Sequence, residues 1–338
     1  MTRKPMSIPF SVAATPANLA QLHQLLDAGQ ALSSTYRGRL SNHLPMAQQA
    51  LLALGASAER LQQFTDAQRA VLPPQTPALD TPPAGPQDLG RPERDAAWRA
   101  HFASRMATLG AAEALREALA LLLPGAGAIA FHGLIRSAHA VQAGHEGELA
   151  AGLAHWAAHF MPLPVQGQGP ALELPDWVQT LRALPVPSAP PAGLIADRMW
   201  AWGAVPGFAS VAGRLQRGPE ALRELALLAA RSYAASANFT VLHLLTASHA
   251  MAVLQPWWPT PELPPGFAAA AAAGLLASGA EPVWTAVSAP RRPWSALIQA
   301  ACAQDDAHVI KLTHAAWALD RRWPDPAWRA AVERAIPV

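Results

Sequence analysis

The sequence has few of the residues that mark secreted, membrane-bound or nucleic-acid-binding proteins. Its 338 residues include one cysteine, Cys302, so no internal disulfide can form. Only 14% of the residues are charged, and no run of Lys or Arg is present to track phosphates. The apolar stretches are shorter than the ~18 to 20 residues that span a bilayer. Pro5 and Pro9 interrupt the basic start where a secretory signal would need an apolar core. We therefore expect a cytoplasmic protein without a nucleic-acid or membrane partner.

Low charge also shapes the expected surface. With 51% hydrophobic residues the chain has ample material for a core, but Ala, Pro and Gln must cover much of the outside. Solubility then favours a homo-oligomer. The Ala-, Pro- and Arg-rich composition is typical of a high-GC bacterial gene.

Strand signals are scarce as well. The chain has two Tyr and no Asn-Gly or Asp-Gly hairpin turn, whereas helical periodicity recurs throughout. The predicted fold class is all-α. The predicted helices span 16–31, 45–54, 94–123, 127–142, 147–160, 219–237, 240–254, 267–276, 293–303, 307–322 and 326–335.

Proline, in contrast, is abundant, and it clusters between the predicted helices. The 33 prolines concentrate in 72–92, 161–193 and 255–266, which we interpret as long ordered connectors. Similar histidine motifs lie on both sides of the middle connector, so we predict one large multi-helix domain over 1–338 with a shared interior. The alternative is two lobes, 1–160 and 194–338, joined by 161–193. The tryptophans beside the connectors are candidates to line an aromatic-binding cleft: Trp200, Trp202, Trp257 and Trp258.

Recognisable cofactor motifs are missing. There is no Walker loop, GxSxG elbow, CxxC or HExxH pattern, and the one GxGxxA match, at 125–130, follows a helical run where a dinucleotide fold needs a strand. We predict no tightly bound cofactor.

Histidine patterns are the most informative feature of the chain. Twelve histidines include three pairs: His132 with His139, His243 with His249, and His308 with His314. On a helix, side chains seven residues apart differ by about 20° in direction, and side chains six apart differ by about 120°. Only the first pair therefore shares one helix face. The segment around His243 is apolar on all sides, which predicts that both histidines of that pair are buried.

A further histidine, His43, precedes a predicted helix start at Pro45. The unpaired N–H groups there disfavour an imidazolium, so a neutral imidazole is expected. A single histidine in an Ala-rich helix is usually an ordinary core or surface residue. We interpret His23, His101 and His145 in that way, and we expect aromatic packing for His155 and His159, despite their metal-ligand spacing.

Four segments, taken in order, resemble the motifs of the questin oxidase-like family. They are 42–46 (Asn-His-Leu-Pro-Met), 131–136 (Phe-His-Gly-Leu-Ile-Arg), 243–250, and 305–314, which contains two aspartates, His308, Lys311 and His314. The resemblance implies Baeyer–Villiger-type oxygenation of anthraquinones and related polyketides, without a bound flavin or metal. It also implies a small aromatic substrate and O2 as partners, with NADPH as the co-substrate that supplies the reduced substrate.

The residues are consistent with such chemistry. Oxygen reacts directly only with electron-rich molecules, so a general base must first form a phenolate or enolate, a task suited to neutral histidine. The resulting anion needs a cation, which Arg136 and Lys311, each one turn from a histidine, would provide unless they pair with a carboxylate. The candidate catalytic residues are His43, His132, Arg136, His139, His243, His249, His308, Lys311 and His314.

Two alternatives stay open. One is a metal-dependent, non-haem iron oxygenase with the same histidines as ligands and Asp305 or Asp306 as the nearest carboxylates. The other is a non-enzymatic helical interaction scaffold, which predicts histidines scattered over the surface. An enzyme predicts that four histidines converge on one aromatic-lined cavity, joined by His139, with His155 and His159 outside. Those four are His43, His132, His243 and His308.

Overall fold

The chain is mostly helical, which confirms the all-α prediction. The computed structural model describes residues 16–76, 82–188, 193–287 and 290–336, and 66% of the structure is helical. The α-helices in these residues are α1 Pro16–Gly29, α2 Leu44–Ala53, α3 Ala58–Arg69, α4 Asp95–Leu109, α5 Ala111–Leu122, α6 His132–Ala143, α7 Glu146–Ala158, α8 Leu174–Arg182, α9 Ile195–Gly203, α10 Phe208–Ala212, α11 Ala221–Ser236, α12 Phe239–Leu254, α13 Pro265–Ser278, α14 Trp294–Cys302, α15 Ala307–Arg322 and α16 Pro326–Ala335.

Other regular structure is limited. Strands β1 (Thr35–Tyr36) and β2 (Leu40–Ser41) pair antiparallel around a turn in which Arg37 and Gly38 have positive φ. Short 3-10 segments occur at Pro86–Asp88, Pro92–Arg94, Leu123–Gly125 and Gln255–Trp257. Among the helices of the described ranges, none combines the length and apolarity needed to cross a membrane.

Four helices form the centre of the molecule. Helix α2 packs against α6, α6 against α12, α12 against α15, and α15 against α2, so the four close into a ring. Every residue of α12 from Thr240 to Leu254 is buried, as expected for a helix that is apolar on all sides. The remaining helices cover this ring, with α7 outside α6 and α11 outside α12.

Several predicted boundaries were wrong. The single helix predicted over 94–123 is two helices, because Gly110 takes a φ of 82° and ψ of 154°, which ends α4. Helices α3, α8, α9 and α10 were not predicted. The first buries only Leu61, Phe64 and Thr65, a stripe too narrow to stand out in the sequence. Helix α8 lies inside the middle Pro-rich segment, which is therefore more than a connector.

The helix predicted from residue 127 begins at His132 instead. Three consecutive residues before it, Ile129, Ala130 and Phe131, have left-handed φ values of 47°, 53° and 68°. Non-glycine residues rarely adopt this conformation, and such strain concentrates at functional sites. The turn ends helix propagation from the preceding segment and fixes the place where α6 starts.

Candidate active site

Two of the candidate histidines sit at helix N-termini. His43 is the residue before α2, as predicted, and the Asn42 side chain accepts a hydrogen bond from the Leu44 N–H at 2.9 Å. His308 is the second residue of α15, and the side chain of Asp306 caps this helix by accepting from the His308 backbone N–H at 2.8 Å. Local capping therefore determines where α2 and α15 begin, and with that the positions of the two histidines.

The other two histidines are held by backbone carbonyls. His132 is the first residue of α6, and its Nδ1 lies 2.5 Å from the Ile129 carbonyl oxygen, which the left-handed turn directs toward the ring. His243, one turn into α12, has its Nδ1 2.8 Å from the Phe239 carbonyl oxygen. Each ring thus has a fixed orientation.

The four rings converge, as predicted. The His43 ring centroid lies 4.7 Å from that of His132 and 4.5 Å from that of His308. The His243 centroid lies 5.0 Å from His132 and 5.4 Å from His308. One residue from each helix of the central ring therefore contributes to a compact cluster, which we call the first layer.

The first layer lines a cavity of about 300 Å³. Phe239, whose ring centroid is 4.7 Å from both His243 and His308, forms one aromatic wall. Tyr36 of β1 lines it as well, with apolar groups from the turn before α6 and from the start of α9. An apolar cavity with a few converging polar groups is the usual form of a small-molecule site.

Hydrogen bonds determine the tautomers in this cavity. The partners of Nδ1 are a carbonyl oxygen for His132 and for His243, and the Asp306 carboxylate at 3.1 Å for His308. These oxygens only accept, so each Nδ1 carries the proton and each Nε2 has a free lone pair. His43 then donates its Nε2–H to the Nε2 of His132 at 2.8 Å.

Burial keeps the four imidazoles neutral near pH 7. Desolvation lowers the pKa of His43 and His132 well below the ordinary value, and the nearby Lys311 charge lowers both further. Desolvation lowers the pKa of His243 to about 3. For His308 desolvation also lowers the pKa, and the hydrogen bond from its ring to Asp306 opposes that effect.

Three of these rings can share a metal ion. The nearest ring nitrogens of His43, His132 and His308 all lie within 4.8 Å of one another, and in the described ranges this is the one such group of His, Cys, Asp or Glu. Neutral imidazole suits Fe, Cu, Zn and Ni. Nδ1 anchoring by a carbonyl or carboxylate is the usual outer-shell support of a metal-binding histidine.

The prediction that His139 joins this cluster was wrong. His139 shares a helix face with His132 but lies two turns further on, about 10 Å along the axis. It belongs to a second cluster, in which its centroid is 6.4 Å from His249 and 5.4 Å from His314, and those two are 5.0 Å apart. Gln49 of α2 accepts the His139 Nδ1–H at 2.6 Å.

This second layer repeats the construction of the first. Each helix of the central ring contributes one residue to each layer, six or seven positions apart, and the second layer consists of Gln49, His139, His249 and His314. All four are buried. Neither ring nitrogen of His314 has a hydrogen-bond partner among the described residues.

Lys311 lies between the two layers. Its side chain is 1% exposed, and no hydrogen bond or ion pair involves it in the described parts of the chain. Desolvation lowers its pKa to about 7, and Asp306 opposes this shift. Its charge lowers the pKa of imidazoles in both layers, His139 among them. A buried lysine without a bonded carboxylate is costly, so its place points to function.

Arg136 is placed differently. It faces α7, where its Nε lies 2.5 Å and its Nη2 3.0 Å from the two carboxylate oxygens of Glu148, and its Nη1 donates to Ser34. Both partners of this ion pair are buried. The structure therefore does not bring Arg136 to the cavity.

The remaining histidines lie outside the first-layer cavity, as predicted for His155 and His159. These two rings contact each other at 4.8 Å, and His155 contacts Ser41. His23 and His145 contact each other near α1, and His101 packs on Trp98. The histidines are therefore mostly gathered in buried clusters and not scattered over the surface, which contradicts the scaffold interpretation.

Some residues of the site escaped sequence analysis. Tyr36 and Arg39 come from the β-hairpin, and a hairpin with an Arg-Gly turn lacks the usual Asn-Gly signal. Gln49 was also missed, although its spacing of six residues from His43 equals that of two of the three histidine pairs, His243 with His249 and His308 with His314. That equality is the one signal in the sequence that pointed to it. Of the four tryptophans near connectors, Trp200 lines a groove beside the cavity.

Comparison with known proteins supports the family resemblance. The model of the questin oxidase-like family matches residues 40–179, a region that contains α2 and α6 but not α12 and α15. No curated protein matches the chain. The predicted resemblance is confirmed over the matched region, and it supports an oxidase or oxygenase type of activity.

Proposed function

Because the chain contains a questin oxidase-like region, we propose that it is a monooxygenase of Baeyer–Villiger type that acts in the first-layer cavity. The substrate is an aromatic polyketide or a related quinone or hydroquinone. The single observation that carries this proposal is the convergence of four neutral histidines, remote in sequence, on one aromatic-lined cavity. Apolar side chains would fill such a space at lower cost, since each buried imidazole needs hydrogen-bond partners.

The geometry best supports a metal-dependent form of this activity. Two nitrogens bound side by side to one metal at about 2.1 Å are about 3 Å apart, close to the 2.8 Å between the Nε2 atoms of His43 and His132. Burial also keeps these imidazoles neutral, so each has one ring nitrogen whose lone pair can bind a metal in place of its present hydrogen bond. A transition metal held by His43, His132 and His308 would supply the one-electron chemistry that lets O2 react with a closed-shell substrate.

The protein's own groups would then orient and protect the reactants. Asp306 holds His308 through Nδ1, and the Ile129 carbonyl does the same for His132. Phe239 provides a face on which an aromatic substrate can stack. The Lys311 ammonium, close behind the cluster, would stabilise negative charge that develops on oxygen in this dry environment.

The electron count determines what the reaction needs. One oxygen atom of O2 enters the bond between the carbonyl carbon and its neighbour, and the other leaves as water with two protons. Reduction of the second oxygen atom to water needs two electrons, and a hydroquinone form of the substrate provides them. NADPH would reduce the quinone to this hydroquinone before it meets O2, which makes NADPH a co-substrate and not a bound cofactor.

A metal-free form of the activity is the second candidate, and the Asp306–His308 contact favours it. A carboxylate on Nδ1 orients an imidazole and stabilises it when it becomes protonated. His308 keeps 21% of its side chain exposed and Asp306 keeps 56%, so solvent and the carboxylate can both stabilise a transient charge on the ring. In this form His308 removes the substrate's phenolic proton, and O2 reacts directly with the phenolate.

Oxygen consumption tests the proposal. Purified protein is given reduced anthraquinones and NADPH, and oxygen uptake and ester or ring-opened products are measured. Replacement of His43, His132, His243 or His308 by Gln should each lower the rate by at least about 100-fold. His101→Gln, outside both layers, should leave the rate unchanged. Equal rates in all variants would show that the reaction does not take place in the first-layer cavity. Loss of activity on chelation and its recovery with iron or copper would favour the metal-dependent form. Activity that persists in the presence of a chelator would favour the metal-free form.

A further inference from the structure

A larger groove adjoins the first-layer cavity. A groove of about 710 Å³ lies beside the cavity and shares Arg39, Ile129, Leu194 and Ala196 with it. Trp200 lines the groove but not the cavity, and this residue is 54% exposed. A cavity of about 300 Å³ holds a small ring system, so a substrate with several rings would extend past these shared residues into the groove.

One cationic side chain, Arg39, belongs to both the cavity and the groove. Among the described residues that line the cavity or the groove, Arg39 is the one Arg or Lys. It follows the hairpin turn, and its guanidinium contacts Asp197 of α9 with Nη1–Oδ2 and Nη2–Oδ1 distances of 3.1 and 2.5 Å. Among these lining residues, a direct ion pair with an Arg or Lys is therefore available to a substrate anion at Arg39.

A ligand carboxylate can compete with Asp197 for the Arg39 guanidinium. Arg39 is 65% exposed at its side chain, and solvent-exposed pairs contribute little to stability. Asp197 does not depend on Arg39, because it also accepts the Leu194 N–H at 3.1 Å and lies in the first turn of α9, where the helix dipole favours a carboxylate. A ligand carboxylate could replace Asp197 on the guanidinium while Asp197 keeps its capping role.

We propose that Arg39 is the anion-recognising residue of the substrate cleft, and that the preferred substrate is a multi-ring aromatic compound with a carboxylate beyond its reacting ring. The guanidinium fork matches a carboxylate with two parallel hydrogen bonds, which fixes orientation as well as affinity. The reacting ring then lies against the first layer and the distal rings lie in the groove near Trp200. This assignment rests on the proposed function for its location, but its test needs no turnover.

Binding of a matched pair of probes tests it. Anthraquinone-2-carboxylate and the uncharged anthraquinone-2-carboxamide have nearly the same shape, and binding is followed by quenching of tryptophan fluorescence, with calorimetry for the dissociation constants. The carboxylate should bind about 10-fold more tightly than the amide. Arg39→Gln should abolish this preference and leave the amide's affinity unchanged, and Arg39→Lys, which keeps the charge but loses the fork, should give an intermediate value.

Two further variants sharpen the comparison. Asp197→Asn removes the competing charge but keeps a capping acceptor, so it should strengthen carboxylate binding several-fold. Arg105→Gln removes another exposed cation, paired with Glu117 away from the cleft, and should change the affinity of neither probe. Equal affinities for the two probes, no binding of either, or a preference that survives Arg39→Gln would overturn the proposal. Oxygen uptake with an uncharged hydroquinone tests the proposed function separately.

Discussion

The Nε2 atoms of His43 and His132 lie 2.8 Å apart, and the Nδ1 of His132 is held at the same time by the Ile129 carbonyl. One proton therefore lies between the two rings, donated by His43. Their ring planes differ by 8°. A metal ion would replace this hydrogen bond with two bonds once both rings turn their lone pairs toward it.

We expect the first layer to bind cobalt(II) with one equivalent per chain. Three neutral imidazoles with nitrogens within 4.8 Å of one another should give the visible absorption of a low-coordinate Co²⁺ ion when it is added to metal-free protein near pH 7. The bands should disappear in His132→Gln and persist in His314→Leu, whose ring belongs to the second layer. Persistence of the bands in His132→Gln would place the metal elsewhere.

Breaking the Arg136–Glu148 pair at one partner should destabilise the fold. Glu148→Gln leaves the buried guanidinium without its countercharge, which should cost about 3 to 5 kcal/mol of unfolding free energy in urea denaturation. The double replacement Arg136→Met with Glu148→Leu should recover most of that loss, since no unpaired charge remains. Arg105→Gln, in the exposed pair with Glu117, should cost less than about 1 kcal/mol. A loss of the same size in the double variant would show that packing and not charge is responsible.

The sequence predicted the helices best where apolar residues recur on all sides. The segment around His243 was identified as a central buried helix, because its pattern leaves no face for solvent. Helix α8 was missed because nine residues between prolines carry too short a pattern. The left-handed turn over Ile129 to Phe131 could not have been foreseen, since none of its residues is glycine.

The histidines of the site were predictable, but their division into two layers was not. Helical geometry showed that His132 and His139 share a face, from which we expected both to line one pocket. Angular position does not show distance along the axis relative to neighbouring helices, so the split into two layers required the packing of α2, α12 and α15 around α6. Likewise, the pairing of Arg136 depends on where α7 places Glu148, which local spacing does not determine.

Lys311 should make stability increase with pH above neutrality. Its pKa is about 7 in the folded chain and near the ordinary value for lysine in the unfolded one, so between these pH values only the unfolded state holds the proton. The proton therefore stabilises the unfolded state in this range, and this stabilisation decreases as pH rises. The unfolding free energy then increases with pH, with a slope of up to about 1.4 kcal/mol per pH unit. Lys311→Met removes this contribution. The stability gap between variant and wild type, measured by urea denaturation from pH 7 to 10, should be largest near pH 7 and shrink as pH rises. A gap independent of pH would mean that Lys311 is charged throughout.

The ring of His314 should reduce the stability of the metal-free chain. Neither of its nitrogens has a hydrogen-bond partner among the described residues, although the side chain is 1% exposed. An unsatisfied buried donor costs about 1 to 3 kcal/mol, so His314→Leu, which fills a similar volume with apolar atoms, should raise the unfolding free energy by about 1 to 2 kcal/mol near pH 7.5. Gln49→Leu is the matched control in the same layer. It removes the acceptor of the His139 Nδ1–H and should therefore destabilise.

The effect of His314→Leu should also depend on pH in one direction. Desolvation lowers the pKa of His314 to about 4, whereas the unfolded chain takes up that proton near the ordinary histidine value. Below that ordinary value the unfolded wild type is favoured by proton binding, and its stability falls as pH decreases toward 4. The variant lacks this contribution, so its advantage should grow between about pH 6.5 and 4, as measured by urea midpoints at each pH. A variant that is less stable than wild type at both ends of this range would show that the His314 nitrogens have a bonded partner in solution.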